Sequence, residues 1–224
     1  MQQSPIFNTA SNAQESVLAT NKVLRNTYML LSMTLLFSAV CAAMAMAMGL
    51  GQGAGLVLML VGFGLLFVVN RTADTSKGII AIFAFTGVLG ASLGPMLTYY
   101  LSMPNGSALV MQALGGTALV FFTLSGYVLT TRKDFSFMGG FLMVGLVVVV
   151  VASIANIFFS LPALSLAISA AAVFIMSGLI LFDTSRIIHG GETNYIRATV
   201  SLYLNIYNLF IHLLALLGVM GNDD

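Results

Sequence analysis

Charged side chains are so sparse in this chain that they cut it into four long uncharged blocks: Asn26–Asn70, Gly78–Thr131, Phe135–Phe182 and Ala198–Asn222. These blocks hold 45, 54, 48 and 25 residues. One helical crossing of a bilayer takes about 20 predominantly apolar residues, so each of the first three holds two crossings and the last holds one. Each double block has a breaker near its middle. The first has the glycine run Gly49–Gly55, the second Ser102-Met103-Pro104-Asn105-Gly106-Ser107, and the third Ser160-Leu161-Pro162. Gly, Pro and Asn in such clusters mark turns. The runs lack the period-two alternation of barrel strands, and a backbone facing hydrocarbon must satisfy its own hydrogen bonds, so the crossings are helices.

The pattern predicts an all-α integral membrane protein with seven transmembrane helices near 27–48, 55–70, 78–101, 108–131, 136–159, 163–188 and 195–219. Together they form one transmembrane domain over 26–220, between a flexible cytoplasmic tail over 1–25 and a short periplasmic tail over 221–224. The N-terminal stretch has no apolar core of the signal-peptide kind, so the first helix is expected to act as an uncleaved insertion signal. Orientation follows from Lys and Arg, which favour the cytoplasmic side. Lys22, Arg25, Arg71, Lys77, Arg132, Lys133, Arg186 and Arg197 all fall at one side of such a topology, and the three hairpin tips on the other side carry none. The N-terminus is therefore expected in the cytoplasm and the C-terminus in the periplasm.

Almost all polar chemistry sits between Phe182 and His212. Asp183 lies near the end of the sixth apolar run, and a carboxylate inside a membrane span is costly and marks a candidate functional position. Arg186, one turn on, is a partner at i, i+3, and Arg71 at the end of the second helix is a second counter-ion on the same side. The seventh run carries Arg197, Ser201, Asn205, Asn208 and His212 at intervals of four, four, three and four. On a helix these form one stripe about 22 Å long at 1.5 Å per residue. Such a stripe belongs against other helices or water and not against lipid, which predicts a central seventh helix. Two uses stay open: hydrogen bonding between helices, or the lining of a narrow polar path with His212 as a protonatable gate. The tyrosines read mainly as anchors near span ends. Gly90 with Gly94, Gly115 with Gly116, and Gly139 with Gly140 read as sites of close helix packing.

Composition changes the picture little but excludes much. The chain is 59% hydrophobic and 7% charged, against about 25% charged in a soluble domain. Its partner by composition is the lipid bilayer, and no nucleic-acid partner is expected. The single cysteine, Cys41, allows no intrachain disulfide. No lysine lies inside a span, which argues against a retinal Schiff base. There is no G-x-S-x-G elbow, no H-E-x-x-H metal motif and no glycine-rich phosphate loop. An intramembrane aspartyl protease needs two aspartates within its spans, and only Asp183 qualifies. The chain is expected not to be an enzyme and to use no cofactor.

One pattern in the second block is specific. It runs Gly78-Ile79-Ile80-Ala81, then Gly90-Ala91-Ser92-Leu93-Gly94-Pro95-Met96-Leu97, then Ala113-Leu114-Gly115-Gly116-Thr117-Ala118-Leu119-Val120-Phe121. It resembles the signature of the Bax inhibitor-1 family of membrane proteins. Phe182-Asp183 and Ser201-Leu202-Tyr203-Leu204-Asn205 resemble the family's closing segments. KVLRNTY, YVLTTRKD and HGGETNYIRATVSLY resemble its bacterial branch. The resemblance implies seven helices with the seventh central. It also implies a pH-sensitive leak of calcium, as a permeant ion only, in which aspartates of the sixth and seventh helices latch with an arginine of the second. Asp183 matches the first aspartate and Arg71 the arginine, while the second position is Asn205. Two close carboxylates can share a proton, whereas a carboxylate beside an amide lacks that coupling. The bacterial likeness implies another activity: binding and restraint of the membrane protease FtsH, with the chain as a substrate as well. A polar N-terminal tail suits engagement by such a protease, and a homo-oligomer is compatible with either reading.

Overall fold

The computed structural model describes residues 6–220. Among them there is no strand, and the helices are α1 (Ile6–Ala47), α2 (Gln52–Thr72), α3 (Lys77–Ser92), α4 (Gly94–Leu101), α5 (Gly106–Thr131), α6 (Gly139–Phe159), α7 (Pro162–Ile188) and α8 (Tyr195–Met220). Seven segments are long and apolar enough to cross a membrane, beginning with Thr20–Ala47 and ending with Tyr195–Val219. Their number is the seven expected.

Two differences from the expectation have local causes. Helix α1 starts at Ile6 and runs unbroken to Ala47, through most of the segment expected as a flexible tail. No Gly or Pro occurs between Pro5 and Gly49 to interrupt a helix, and Ala10, Ala13, Gln14, Glu15, Leu18 and Ala19 are strong helix formers within the polar segment. Residues 1–5 of that expected tail, and the expected periplasmic tail 221–224, lie outside the described residues. The third crossing is broken into α3 and α4 at Leu93, whose N–H turns to the Gly90 carbonyl at 3.0 Å. Pro95 has no N–H with which to continue the ladder to Ala91, so the helix must break or kink there.

The hairpins close with side chains as well as backbone. Ser160 ends α6 in a left-handed conformation, φ 50°, with its N–H on the Asn156 carbonyl. Asn156 then accepts from the Leu161 N–H at 3.0 Å and donates to Ser165 at 2.6 Å, tying α6 to α7 across Pro162. At the opposite end of the bundle Asn194 caps α8, its Oδ1 accepting the N–H groups of Ile196 and Arg197 at 2.8 and 3.1 Å. Its Nδ2 reaches the α2–α3 loop at the Ala73 carbonyl and the Asp74 carboxylate. One residue thus satisfies two orphan donors of the helix start and fixes α8 to a neighbouring loop.

Packing is uneven. Helix α6 lies mainly on α7, and α2 lies mainly on α3 and α4, whereas α8 packs against α1, α3, α5 and α7. Helix α1 is approached closely at two glycines, Gly90 of α3 and Gly94 of α4. A Cβ on Gly90 would lie 2.7 Å from the Ser38 Cα, and one on Gly94 would lie 2.6 Å from the Ala45 side chain. With little hydrophobic drive between helices in lipid, such backbone proximity is a main source of packing energy. The largest fully buried side chain is Tyr203 of α8, set against Phe85 of α3 with ring centroids 5.8 Å apart.

Candidate functional site

The buried polar groups collect where α8 meets α7. Asp183, in the last turns of α7, is buried, and so is Asn205 two turns into the apolar part of α8. The Asn205 Nδ2 donates to the Asp183 Oδ2 at 2.7 Å. A buried carboxyl group needs such partners, because an unpaired one costs several kcal/mol, about the scale set for buried polar groups in hydrocarbon. Beside it Thr184 and Ser185 are also fully buried. Thr184 meets Ser125 of α5 at 3.3 Å, and Ser125 is hydrogen-bonded in turn to Tyr28 of α1. Three helices are therefore joined at the depth of Asp183 by hydroxyl groups alone.

The arginines do not join this site. Arg71, expected as a counter-ion of Asp183, is exposed, and it makes no hydrogen bond or ion pair among the described residues. The packed face of α2 carries Gly55, Gly62 and Val69 at seven-residue intervals. Arg71 is two residues past Val69, on the opposite side of a helix that turns about 100° per residue. Arg186, also expected to pair with Asp183, turns outward. Its guanidinium lies 3.8 Å from Glu192, donates to the Gly191 carbonyl at 3.2 Å and covers the Phe182 ring at 5.5 Å. Glu192 and Gly191 belong to the loop after α7, which satisfies Arg186 where water can reach it.

The five-residue stripe on α8 also divides. Arg197 forms an ion pair with Asp74 of the α2–α3 loop, at the exposed rim. Ser201 is half-buried. Asn208 returns its Nδ2 to the Leu204 carbonyl of its own helix at 2.8 Å. His212 meets Ser169 of α7 at 3.3 Å. Only Asn205 and His212 reach a neighbouring helix, and both reach α7.

A second polar face of α8 went unread in the sequence. Thr199, Tyr203 and Tyr207 stand at i, i+4 and i+8 and point toward α1 and α3. Thr199 donates to the Thr27 carbonyl at 3.3 Å, Tyr203 pairs with Ser38 at 2.7 Å and reaches the Thr86 carbonyl at 3.2 Å, and Tyr207 pairs with Ser92 at 3.0 Å. The spacing was the available signal. Tyr203 and Tyr207 are also far from the span ends where anchoring tyrosines belong. With polar contacts on both faces, no residue of α8 from Tyr195 to Gly218 is exposed.

At the charged end of the bundle, Ser185 accepts the Phe135 N–H at 2.9 Å, and His189 meets the Arg132 carbonyl at 3.2 Å. Asp134 accepts the Ser136 N–H at 2.8 Å, and this bond, with smaller help from His189 and Ser185, holds its carboxyl below the ordinary value. No group of three or more metal-ligating side chains occurs among the described residues.

This architecture is that of a seven-span helical membrane protein with a carboxyl–amide pair buried between its last two crossings. The chain belongs to the family described as inhibitor of apoptosis-promoting Bax1, whose model matches residues 20–222. It is 58% identical over 215 residues to the modulator of FtsH protease YccA of Escherichia coli, covering 96% of this chain and 98% of that one. A second Escherichia coli relative with the same identity and coverage is the inner membrane protein YccA. A membrane protein of Vibrio cholerae is 51% identical over 221 residues, covering 98% and 99% of the two chains. With its seven apolar helices, the chain is a multi-pass inner-membrane protein. The names of these relatives describe a modulator and membrane proteins, and none describes a chemical reaction.

Proposed function

We propose that this protein binds the FtsH protease of the inner membrane, restrains its proteolysis of other membrane proteins, and is itself one of its substrates. The observation that carries this reading is the 58% identity, over nearly the whole of both chains, to a modulator of FtsH protease. It acts through contacts and not by catalysis. The N-terminus lies in the cytoplasm, with all eight Lys and Arg on that side, and the polar segment ahead of Thr20 is the handle that the protease engages. Helix α8 is the centre of the bundle, a role supported by the absence of any exposed residue from Tyr195 to Gly218.

Chemical crosslinking in membranes followed by affinity purification of the chain should recover FtsH, and overproduction should lengthen the half-life of other FtsH membrane substrates. Recovery no greater than with an unrelated seven-span protein, together with unchanged half-lives, refutes the proposal.

A second reading, compatible with the first, is a cation leak along α8 gated at Asp183. The 2.7 Å contact between Asp183 and Asn205 favours it, since it sets an ionisable carboxyl in a buried hydrogen bond between the last two crossings. Liposomes loaded with a calcium dye test it at pH 6 and pH 8, with Asp183→Ala and Asn205→Asp alongside. Flux equal to that of empty liposomes at both pH values rules the leak out.

A further inference from the structure

Helices α1 and α5 bound a seam that they do not close. They run side by side and are bridged where Tyr28 bonds Ser125 and packs on Phe121 with ring centroids 6.1 Å apart. On one side of this bridge lies a cavity of about 400 Å³ walled by α1 and α5 and floored by Tyr203, Ile206 and Phe210 of α8. On the other side lies a second cavity of about 280 Å³, between Thr20, Asn21 and Leu24 of α1, Leu129 and Arg132 of α5, and the end of α7.

The two cavities share one pair of helix faces. The α1 lining runs from Thr20 through Leu24, Tyr28, Leu31 and Leu35 to Met46 in steps of three and four. That is one helical face about 39 Å long at 1.5 Å per residue. The α5 lining runs antiparallel to it, from Val110 through Leu114, Ala118 and Phe122 to Leu129 and Arg132. Leu114, Ala118 and Phe122 are exposed, as are Ser32 and Ala39 opposite them, so the larger cavity opens sideways into the bilayer.

The seam is therefore amphipathic along its length. Its long part is apolar and of the size of a small-molecule site, typically about 300–1,000 Å³. Its short part carries a cation. Arg132 is exposed at the end of α5, held in a left-handed conformation at φ 51°, and its guanidinium has no ion pair among the described residues. Lys133 follows it, and Lys22 and Arg25 stand exposed on the adjoining turns of α1. Asp134, two residues beyond Arg132, is engaged by the Ser136 N–H, and Glu192, on the loop after α7, faces Arg186. Basic pockets between helices at the edge of the hydrocarbon suit anionic lipid head groups.

We propose that the α1–α5 seam binds one anionic phospholipid, with its phosphate at Arg132 and an acyl chain in the apolar cavity beside Tyr203. The occupant must be apolar along the bilayer-facing length and anionic at one end, and an anionic phospholipid meets both demands. A partner helix would match the apolar length but leave the Arg132 pocket unpaired.

The purified, delipidated full chain in mild detergent provides the test, with thermal unfolding and native mass spectrometry as readouts. Phosphatidylglycerol should raise Tm more than phosphatidylcholine, and one molecule should stay bound. Arg132→Ala should weaken retention of phosphatidylglycerol about fivefold, as expected for one basic contact near a membrane surface, without changing phosphatidylcholine. Ala118→Trp should abolish retention of both, while Leu119→Trp, on the outer face of α5, should not. A readout on the parent chain needs no variant. Phosphatidylglycerol carrying a photoreactive group at its acyl terminus should label residues 31–46 and 110–122 in preference to other helices. Equal effects of the two lipids, a full Tm shift from inorganic phosphate alone, retention by Ala118→Trp, labelling spread over all faces, or membrane crosslinking of this seam to a protein helix would each overturn the proposal.

Discussion

Helices α6 and α8 are both long apolar crossings, and they behave as opposites. Helix α6 reads GGFLMVGLVVVVVASIANIFF and buries only Leu142 and Val149, one heptad apart. Helix α8 carries Arg, Thr, Ser, Tyr, Asn and His, and it has no exposed residue from Tyr195 to Gly218. In water the more polar helix would lie outside. In a bilayer the order inverts, because lipid solvates Val and Ile as well as another helix does, while a side-chain amide or hydroxyl must find a partner within the protein. Polarity therefore identifies the enclosed helix, and uniform apolarity identifies the peripheral one.

The largest effect that separates the two comes from large aromatic truncations. Tyr203→Ala removes the largest fully buried side chain and strands Ser38, so it should cost about 3–4 kcal/mol. Phe158→Ala removes a side chain that is 81% exposed to the bilayer and should stay within about 0.5 kcal/mol of the parent. Reversible unfolding by SDS titration measures both. Comparable losses in the two variants would show that exposure in this bundle does not report energetic weight.

Asn205 and Asn208 then sharpen the comparison within α8. Asn205→Leu leaves the Asp183 carboxyl without its cross-helix donor and should cost about 1–2 kcal/mol. Asn208 bonds its own Leu204 carbonyl, whose helical partner is in any case the Asn208 N–H, so Asn208→Leu should change stability by less than about 0.5 kcal/mol. The same unfolding assay tells them apart. Equal losses would restore the uniform polar stripe that the sequence spacing alone suggested.

That stripe illustrates what could and could not be read in advance. The seven crossings were legible because charge and apolar run length are one-dimensional properties, and the bilayer fixes the length. The break at Leu93 was also written in the sequence, in Pro95, but its consequence depends on the lost bond to Ala91 and not on hydropathy. Asp183 and Asn205 were singled out because polar residues in a span need partners, and the structure places them in contact. Arg71 was misplaced because membrane depth was read without helix azimuth. It lies at a suitable depth but on the face opposite Val69. Arg186 was misplaced because spacing at i, i+3 permits a pair without choosing it over Glu192 and Gly191. The Thr199–Tyr203–Tyr207 face escaped because tyrosine was read by its preference for interfaces and not by its position in mid-span.

The smallest effect lies outside the membrane, in the loop between α5 and α6. Asp134 holds the turn leading into α6 by accepting the Ser136 N–H, and Ser185 of α7 touches the same carboxylate at 3.4 Å. The Ser136 N–H is the first cause of its lowered pKa, so the folded loop favours the charged form. A carboxylate lowered in this way contributes stability that is present above its ordinary value of about 3.9 and is lost as the pH falls through the folded value. Between pH 8 and pH 5 this contact should therefore not change, and the loop should loosen only in stronger acid. The Ser136 amide resonance, followed by NMR from pH 6 downward, should titrate with a midpoint below about 3.9. Asp134→Ala should remove the titration and leave the Asp183–Asn205 pair intact. A midpoint above the ordinary value would mean that the carboxylate is held by burial and not by the Ser136 N–H.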